Sequence, residues 1–418
     1  MTATKIPPLI KRNTALFALS QSFTGAGMQF AYGFGPLMVV SLSGSSGLAG
    51  LSVGLIGLSR FLVAYPIGKI TDAYGRKPGI HLGLALAMVG TLILGGAMHA
   101  SSLALFVGGL LAFGMGMSAA QQMRVGATDM YPPHMRAQAL GYVALGSIVG
   151  LLLGPLLVEI AGRLAPWLDA DPLGLPWLFL PVLIVAGMVL ISFVRPDPKE
   201  IGMNLARYYP DCKEPSRTTR ADDASDLGLR AILAYAPARI AIVSNCAATG
   251  NMSIVMVLTS LVLAHHGHSL VAIAYSHMFH SVGMFAFTIP LGKLADRFGR
   301  SRVMFPGVAT SLVGAALVAF TGALWSVTLG TFLVGLGWAA ANVAATAQIA
   351  DLFPTEKRGR AIGVSDSCAG GITVLAALVT GPLIEFSGLP ATGLTAVLLA
   401  AAPFVMLATS RLARVPAG

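Results

Sequence analysis

Charged side chains are scarce in this chain, so those inside its apolar stretches mark where chemistry can happen. Arg60 lies within LSVGLIGLSRFLVAYP (51–66) and Asp366 within IGVSDSCAGG (362–371). In hydrocarbon each costs several kcal/mol unless it is paired or wetted. Paired with each other they would make a switch, in which Asp366 carries a proton and a nearby Arg60 favours its ionised form. A permanent structural pair, or two side chains reaching separately for the surface, would satisfy the same residues. Five of the eight histidines lie within 265–280, among them His277 and His280 at a helical spacing of three. Such imidazoles can relay protons, contact substrate or, together with HHGHS (265–269), bind a transition metal. No acidic or thiol ligand stands close in sequence, so no metal site is assigned. A phosphate loop of the form GxxxxGK[ST] is absent and no nucleophile sits beside a base. Neither an ATP-driven pump nor an enzyme is therefore indicated.

These groups need elements to hold them. Of 418 residues 55% are hydrophobic and 11% charged, and the mean hydropathy is +0.77, whereas a soluble globular chain carries about 25% charged residues. Apolar runs of about 20 residues cross about 30 Å of hydrocarbon as helices, and the ten-residue alternation of an outer-membrane barrel is not seen. The expected fold is all-α and integral to a membrane. Its twelve spans lie near 14–40, 49–69, 78–99, 102–127, 138–160, 176–194, 236–264, 270–292, 302–322, 325–351, 360–384 and 390–410. Cytoplasmic loops retain positive charge, and 23 of the 27 lysines and arginines fall in the segments on one side of this arrangement. Both termini are expected in the cytoplasm, with the first span a retained helix rather than a signal peptide. The net charge of +10 and the pI near 9.8 follow from this asymmetry and not from nucleic-acid binding. Cys212 falls in a linker and Cys246 and Cys368 in spans, with no disulfide framework.

The chain repeats itself. PIGKITDAYGRK (66–77) answers to PLGKLADRFGRS (290–301), and DMYPPHMRAQALG (129–141) to DLFPTEKRGRAIG (351–363), at offsets of 224 and 222 residues. Two six-span bundles, 1–194 and 236–418, joined by a cytoplasmic linker at 195–235, are expected; parallel duplication of this kind suits a transporter of two rocking halves. The paired stretches resemble the glycine-x-x-x-aspartate-x-x-glycine-arginine signature of the major facilitator superfamily, here Gly68, Asp72, Gly75, Arg76 and Lys77, then Gly292, Asp296, Gly299 and Arg300. The resemblance covers the whole chain and implies a latch that closes the cytoplasmic mouth. It implies that Asp72 sits at the amino end of span 11 and Asp296 at that of span 5, and that Arg76 reaches Asp129 and Arg300 reaches Asp351. Ala73 and Ser301 stand where the family has basic residues, so the first latch is expected to be the looser.

Within GYVALGSIVGLLLGP (141–155), Gly141, Gly150, Gly154 and Pro155 are similar to the span-5 motif of proton antiporters in that family; ordinary close packing of glycines accounts for them equally. The resemblance places the central cavity among spans 1, 4, 7 and 10. Its candidates are Gln29, Tyr32, Gln121, Asn245, Asn251, Trp338 and Asn342, each of which can instead bond one helix to another. The expectation is a proton-coupled exporter of a small organic solute in the inner membrane, monomeric and without cofactor, drawing on the proton gradient. Uptake of an anion or metabolite by symport, transition-metal transport and a non-transporting sensor are the alternatives.

Overall fold

In a computed structural model the described residues are 6–409, apart from 34, 45–47, 49–50, 172, 211–228 and 269. Nearly all are α-helical, as expected where each segment must close its own backbone hydrogen bonds away from water. The first repeat holds α1 (Pro8–Thr24), α2 (Ala26–Gly33), α3 (Gly35–Ser43), α4 (Leu51–Tyr74), α5 (Arg76–His99), α6 (Leu103–Ala120), α7 (Gln122–Asp129), α8 (Arg136–Leu168) and α9 (Leu175–Ser192). Short helices α10 (Pro198–Met203), α11 (Leu205–Tyr208) and α12 (Leu229–Ala234) follow. The second repeat holds α13 (Ala236–His265), α14 (Leu270–Phe285), α15 (Thr288–Phe298), α16 (Ser301–Phe320), α17 (Leu324–Leu352) and α18 (Thr355–Thr409), the last being two helices run together across Gly388. Among the described residues, eight helical segments are long and apolar enough to cross a membrane.

Element boundaries depart from the expected spans in places. The segment expected from 14 begins at Pro8, whose missing N–H costs a helix nothing in its first turn, and is divided into α1, α2 and α3. The segment expected over 270–292 is divided between α14 and α15, four residues before Pro290, which cannot donate to the carbonyl of Ala286. The segment expected as a linker from 195 is folded as far as 209. Ile201, Leu205 and Tyr209 are buried in the same apolar cluster as Ile10, Phe17 and Trp177. Cys212 lies outside the described residues.

A second cluster gathers Ile242, Val343, Ile349 and Ile362 with Val125, Ala137 and Leu140 of the first repeat, so the two copies share apolar packing. Two glycine seams join them. A Cβ on Gly68 would lie 2.4 Å from the Gly359 carbonyl oxygen, one on Gly363 2.3 Å from that of Ala64, and one on Gly370 2.5 Å from the Phe61 nitrogen. On the other seam, Gly292 and Gly141 would meet the carbonyl oxygens of Ala137 and Thr288 at 2.4 and 2.6 Å. Backbone therefore rests on backbone where α4 meets α18 and α8 meets α15, a closeness that no side chain would permit.

Candidate functional site

Gly75 and Gly299 hold φ near 100° between successive helices, a conformation only glycine takes without strain, and each turns the next arginine back over its own aspartate. At the first turn Arg76 is fully buried. Its Nη1 donates to Asp72 Oδ1 at 2.7 Å, its Nε to Asp129 Oδ2 at 2.7 Å, and its Nη2 to the Thr355 carbonyl at 2.7 Å. Asp72 also accepts from the backbone nitrogens of Gly359 at 3.0 Å and Arg360 at 2.8 Å, near the start of α18. Arg358 completes the group by pairing with Asp129. At the second turn Arg300 pairs with Asp296 and, at 3.0 Å, with Asp351, and donates to the Pro133 carbonyl. Asp296 accepts from the nitrogens of Ala137 at 3.1 Å and Gln138 at 2.7 Å at the start of α8, and Arg136 reaches Asp351 at 2.8 Å.

The aspartate and arginine partners are thus those that the resemblance implied. The relative tightness is inverted, however. Arg76 and Asp129 side chains are 0% exposed, against 12% and 27% for Arg300 and Asp351. Ala73 and Ser301 are both exposed, so the departures from the family pattern fall outside the contacts that matter. Three participants were not read from the sequence. Arg136 and Arg358 occupy matching places in MRAQ and KRGR, a repeat signal that was there to use. Asp197 gave no such signal: its carboxylate accepts the nitrogens of Arg76 at 3.0 Å and Lys77 at 2.9 Å, capping α5 from the segment after α9.

Deeper in the bundle, about 9 Å beyond Arg360 along α18 at 1.5 Å per residue, a second charged group spans the repeats. Arg60 Nη2 lies 2.5 Å from Asp366 Oδ1, and Arg124 Nη2 lies 2.8 Å from Asp366 Oδ2. Arg124 Nη1 donates to Asn342 Oδ1 at 3.1 Å, Asn342 Nδ2 to Asn245 Oδ1 at 2.9 Å, and Asn245 Nδ2 to Ser365 Oγ at 3.1 Å. Helices α4, α7, α13, α17 and α18 each contribute one or two of these groups. Arg60 and Asp366 meet as the sequence suggested; Arg124 was passed over, although the cost of an arginine in an apolar segment that marked Arg60 applies to it as well.

The remaining candidates are placed elsewhere. Gln121 is half-buried at the junction of α6 and α7. Asn251 donates to the Ala396 carbonyl at 2.9 Å, and Trp338 packs against the cluster of Ala248, Val308, Ala341 and Ala400 while donating to Thr249 Oγ1 at 3.2 Å. Both are occupied in joining helices, as is His280, whose Nδ1 donates to the Thr331 carbonyl at 2.9 Å. His277 is half-buried one turn away on α14, and neither imidazole bonds to the Asp366 group among the described contacts. His266 Nδ1 and His268 Nε2 bond the carbonyls of Val262 and Gly322. Among the described residues no three histidine, cysteine or acidic side chains gather as a metal site. Gly141 packs on α15 and Gly150 is buried, whereas the surroundings of Gly154 and Pro155 and the side chains of Gln29 and Tyr32 lie outside what is described.

Residues 17–207 and 240–417 match the family model of the Major Facilitator Superfamily. The chain belongs to this superfamily. It is accordingly a multi-pass membrane transporter and not an enzyme. The MFS-type transporter YdeG of Bacillus subtilis (strain 168) is 28% identical over 368 residues, covering 86% of this chain and 82% of that one. The riboflavin transporter RfnT of Brucella anthropi is 27% identical over 392 residues, 90% of each chain. The crystal structure of the human organic anion transporter MFSD10 superposes with a TM-score of 0.75 at 16% identity over 96% of this chain and 100% of that one, a likeness of fold.

Proposed function

We propose that this protein is a twelve-span secondary transporter that moves a small organic solute by alternating access, with a proton gradient as its energy source. Six spans come from α1–α3 taken together, α4, α5, α6 with α7, α8 and α9; six more come from α13, α14 with α15, α16, α17 and the two parts of α18. The repeats, 1–194 and 236–418 in the sequence reading, rock against each other along the glycine seams. Positive charge gathers on the side of the two arginine turns, which on the positive-inside rule makes them a closed cytoplasmic latch, with both termini in the cytoplasm of the inner membrane.

One observation carries the proton coupling. Asp366 on α18 is held by Arg60 on α4, so a single carboxylate joins the moving halves inside the bundle. Its protonation loosens that link, and ionisation restores it. A complete pathway in one chain suits a monomer. Export by antiport is the reading favoured by the Gly141, Gly150, Gly154 and Pro155 series. The metal alternative loses ground because, among the described residues, no three histidine, cysteine or acidic side chains gather within reach of one ion.

Proteoliposomes filled with a pH-sensitive dye and challenged with riboflavin and a panel of organic acids, amines and amides test the coupling. Asp366→Asn should retain solute exchange at equal concentrations and lose solute-driven proton movement. Uphill transport driven by protons in that variant would remove Asp366 as the carrier.

A further inference from the structure

Beside the second arginine turn, α15, α16 and α17 leave a groove of about 380 Å³ between them. Leu294 and Phe298 of α15, Pro306 and Thr310 of α16, and Gly337 and Ala340 of α17 line it. Gly337 and Ala340 are buried and make its floor, whereas Leu294 and Phe298 are 43% and 45% exposed. Pro306 and Thr310 are four apart and share one face of α16, so the groove runs along that helix. From Arg302 to Thr310 it extends about 12 Å at 1.5 Å per residue, most of the roughly 15 Å depth of one leaflet. The Thr310 hydroxyl is turned back on its own helix, donating to the Pro306 carbonyl at 2.8 Å, and the walls present hydrocarbon. One end differs. Arg302 lines it, exposed, and its Nη1 donates to the Phe298 carbonyl at 3.3 Å, which holds the guanidinium across the last turn of α15. Arg297, also exposed, stands over the Phe298 ring at 5.2 Å. Neither guanidinium meets a carboxylate among the described contacts, and the neighbouring Asp296 is taken by Arg300 and by two backbone nitrogens of α8. Arg302 is no part of the repeated latch, since Pro78 holds the matching place in the first copy.

We propose that this groove seats one acyl chain of an anionic phospholipid whose phosphate accepts hydrogen bonds from Arg302, and that the bound lipid braces α15. An apolar trough ending in guanidiniums at the membrane surface complements an amphiphile with an anionic head, and the bilayer supplies one. The planar donors of Arg302 suit phosphate oxygens, and Arg297 adds charge beside them. The bracing follows from the two faces of α15. Leu291, Leu294 and Phe298 recur at helical spacing on the groove side, while Gly292 and Asp296, four apart, lie on the side that meets α8. A chain in the groove therefore stands behind the helix that carries the second seam and its aspartate. A ligand bound only by this arrangement stabilises it by mass action. The lipid thus favours the state in which Asp296 rests on α8, whichever way the solute moves.

The test is titration of the delipidated full chain with dioleoyl phosphatidylglycerol or dioleoyl phosphatidylcholine, read by native mass spectrometry and by thermal melts. Phosphatidylglycerol should bind at least about fivefold more tightly, the effect of one arginine near a membrane surface, and should raise the melting temperature further. Arg302→Gln should remove this preference, and Arg302→Lys should recover part of it. Arg12→Gln is the control: Arg12 is likewise exposed and donates to a single carbonyl, that of Phe193 at 3.3 Å, and its loss should leave the preference intact. Thr310→Trp, which fills the groove, should weaken phosphatidylglycerol binding several-fold; should it fold poorly, the surface variants of Arg302 still decide. Glycerol 3-phosphate, a headgroup without chains, should not compete at equal concentration. Amide exchange over 288–298 should slow when phosphatidylglycerol is bound. Equal affinity for the two lipids, equal losses in Arg302→Gln and Arg12→Gln, or wild-type affinity in a folded Thr310→Trp overturns the site. Competition by glycerol 3-phosphate would make it a site for soluble phosphate esters and overturn the lipid. Unchanged exchange in α15 overturns the brace.

Discussion

The position of Arg76 is filled by the side chain that can donate in three directions at once. Its Nε, Nη1 and Nη2 each have a separate acceptor, on Asp129, Asp72 and Thr355. Lysine carries the same charge as a point and cannot fork between them. Arg76→Lys should therefore destabilise the protein by about 3–5 kcal/mol, the range for a disrupted buried pair. Arg300→Lys should cost about half as much, because Arg300 and Asp351 are partly wet and water screens what is lost. Denaturant melts of the two variants in detergent give the comparison, and an equal cost would contradict the difference in burial. Arg60, Asp366 and the latch residues were legible in the sequence because charge in an apolar run is rare and because the run is repeated. Asn251 and Trp338 were not assignable, since a polar group in a helix is bonded either to a solute or to its neighbour, and only packing tells which.

Glycine decides the contacts between elements. At Gly68, Gly363 and Gly370 in the seam of α4 on α18 the nearest neighbours are backbone atoms, so the helices meet through their backbones. Gly363→Val should hold the seam apart, because even its Cβ would stand 2.3 Å from the Ala64 carbonyl oxygen. Cross-linking of cysteine pairs placed across α4 and α18 should fall several-fold, and unchanged cross-linking would show that the seam tolerates the bulk. Gly96, with nothing within 4 Å of a Cβ, is the control: Gly96→Ala should raise stability by about 0.5–1 kcal/mol. Helix existence was legible from apolar runs, while helix breaks were not. Pro290 follows a division of α14 from α15, yet Pro66 at the matching place leaves α4 continuous. Proline removes one hydrogen bond in both, and the neighbours decide whether the helix parts.

At the scale of the whole molecule, duplication was legible because two stretches recur at nearly one offset. The point where the first copy ends was less so, because a mixed-charge stretch rich in proline reads as a linker. Asp197 caps α5, and Ile201, Leu205 and Tyr209 are buried with the first repeat. The covalent thread therefore leaves the first repeat later than the last long helix does. This bears on how the gene could be divided. Two polypeptides split between residues 218 and 219 each keep their own structural parts and should complement one another when made together, with restored thermal stability as the readout. A split between 194 and 195 assigns the cap and its apolar anchor to the wrong fragment. It should complement poorly, so inheritance of function by halves is possible only where the break respects that anchor.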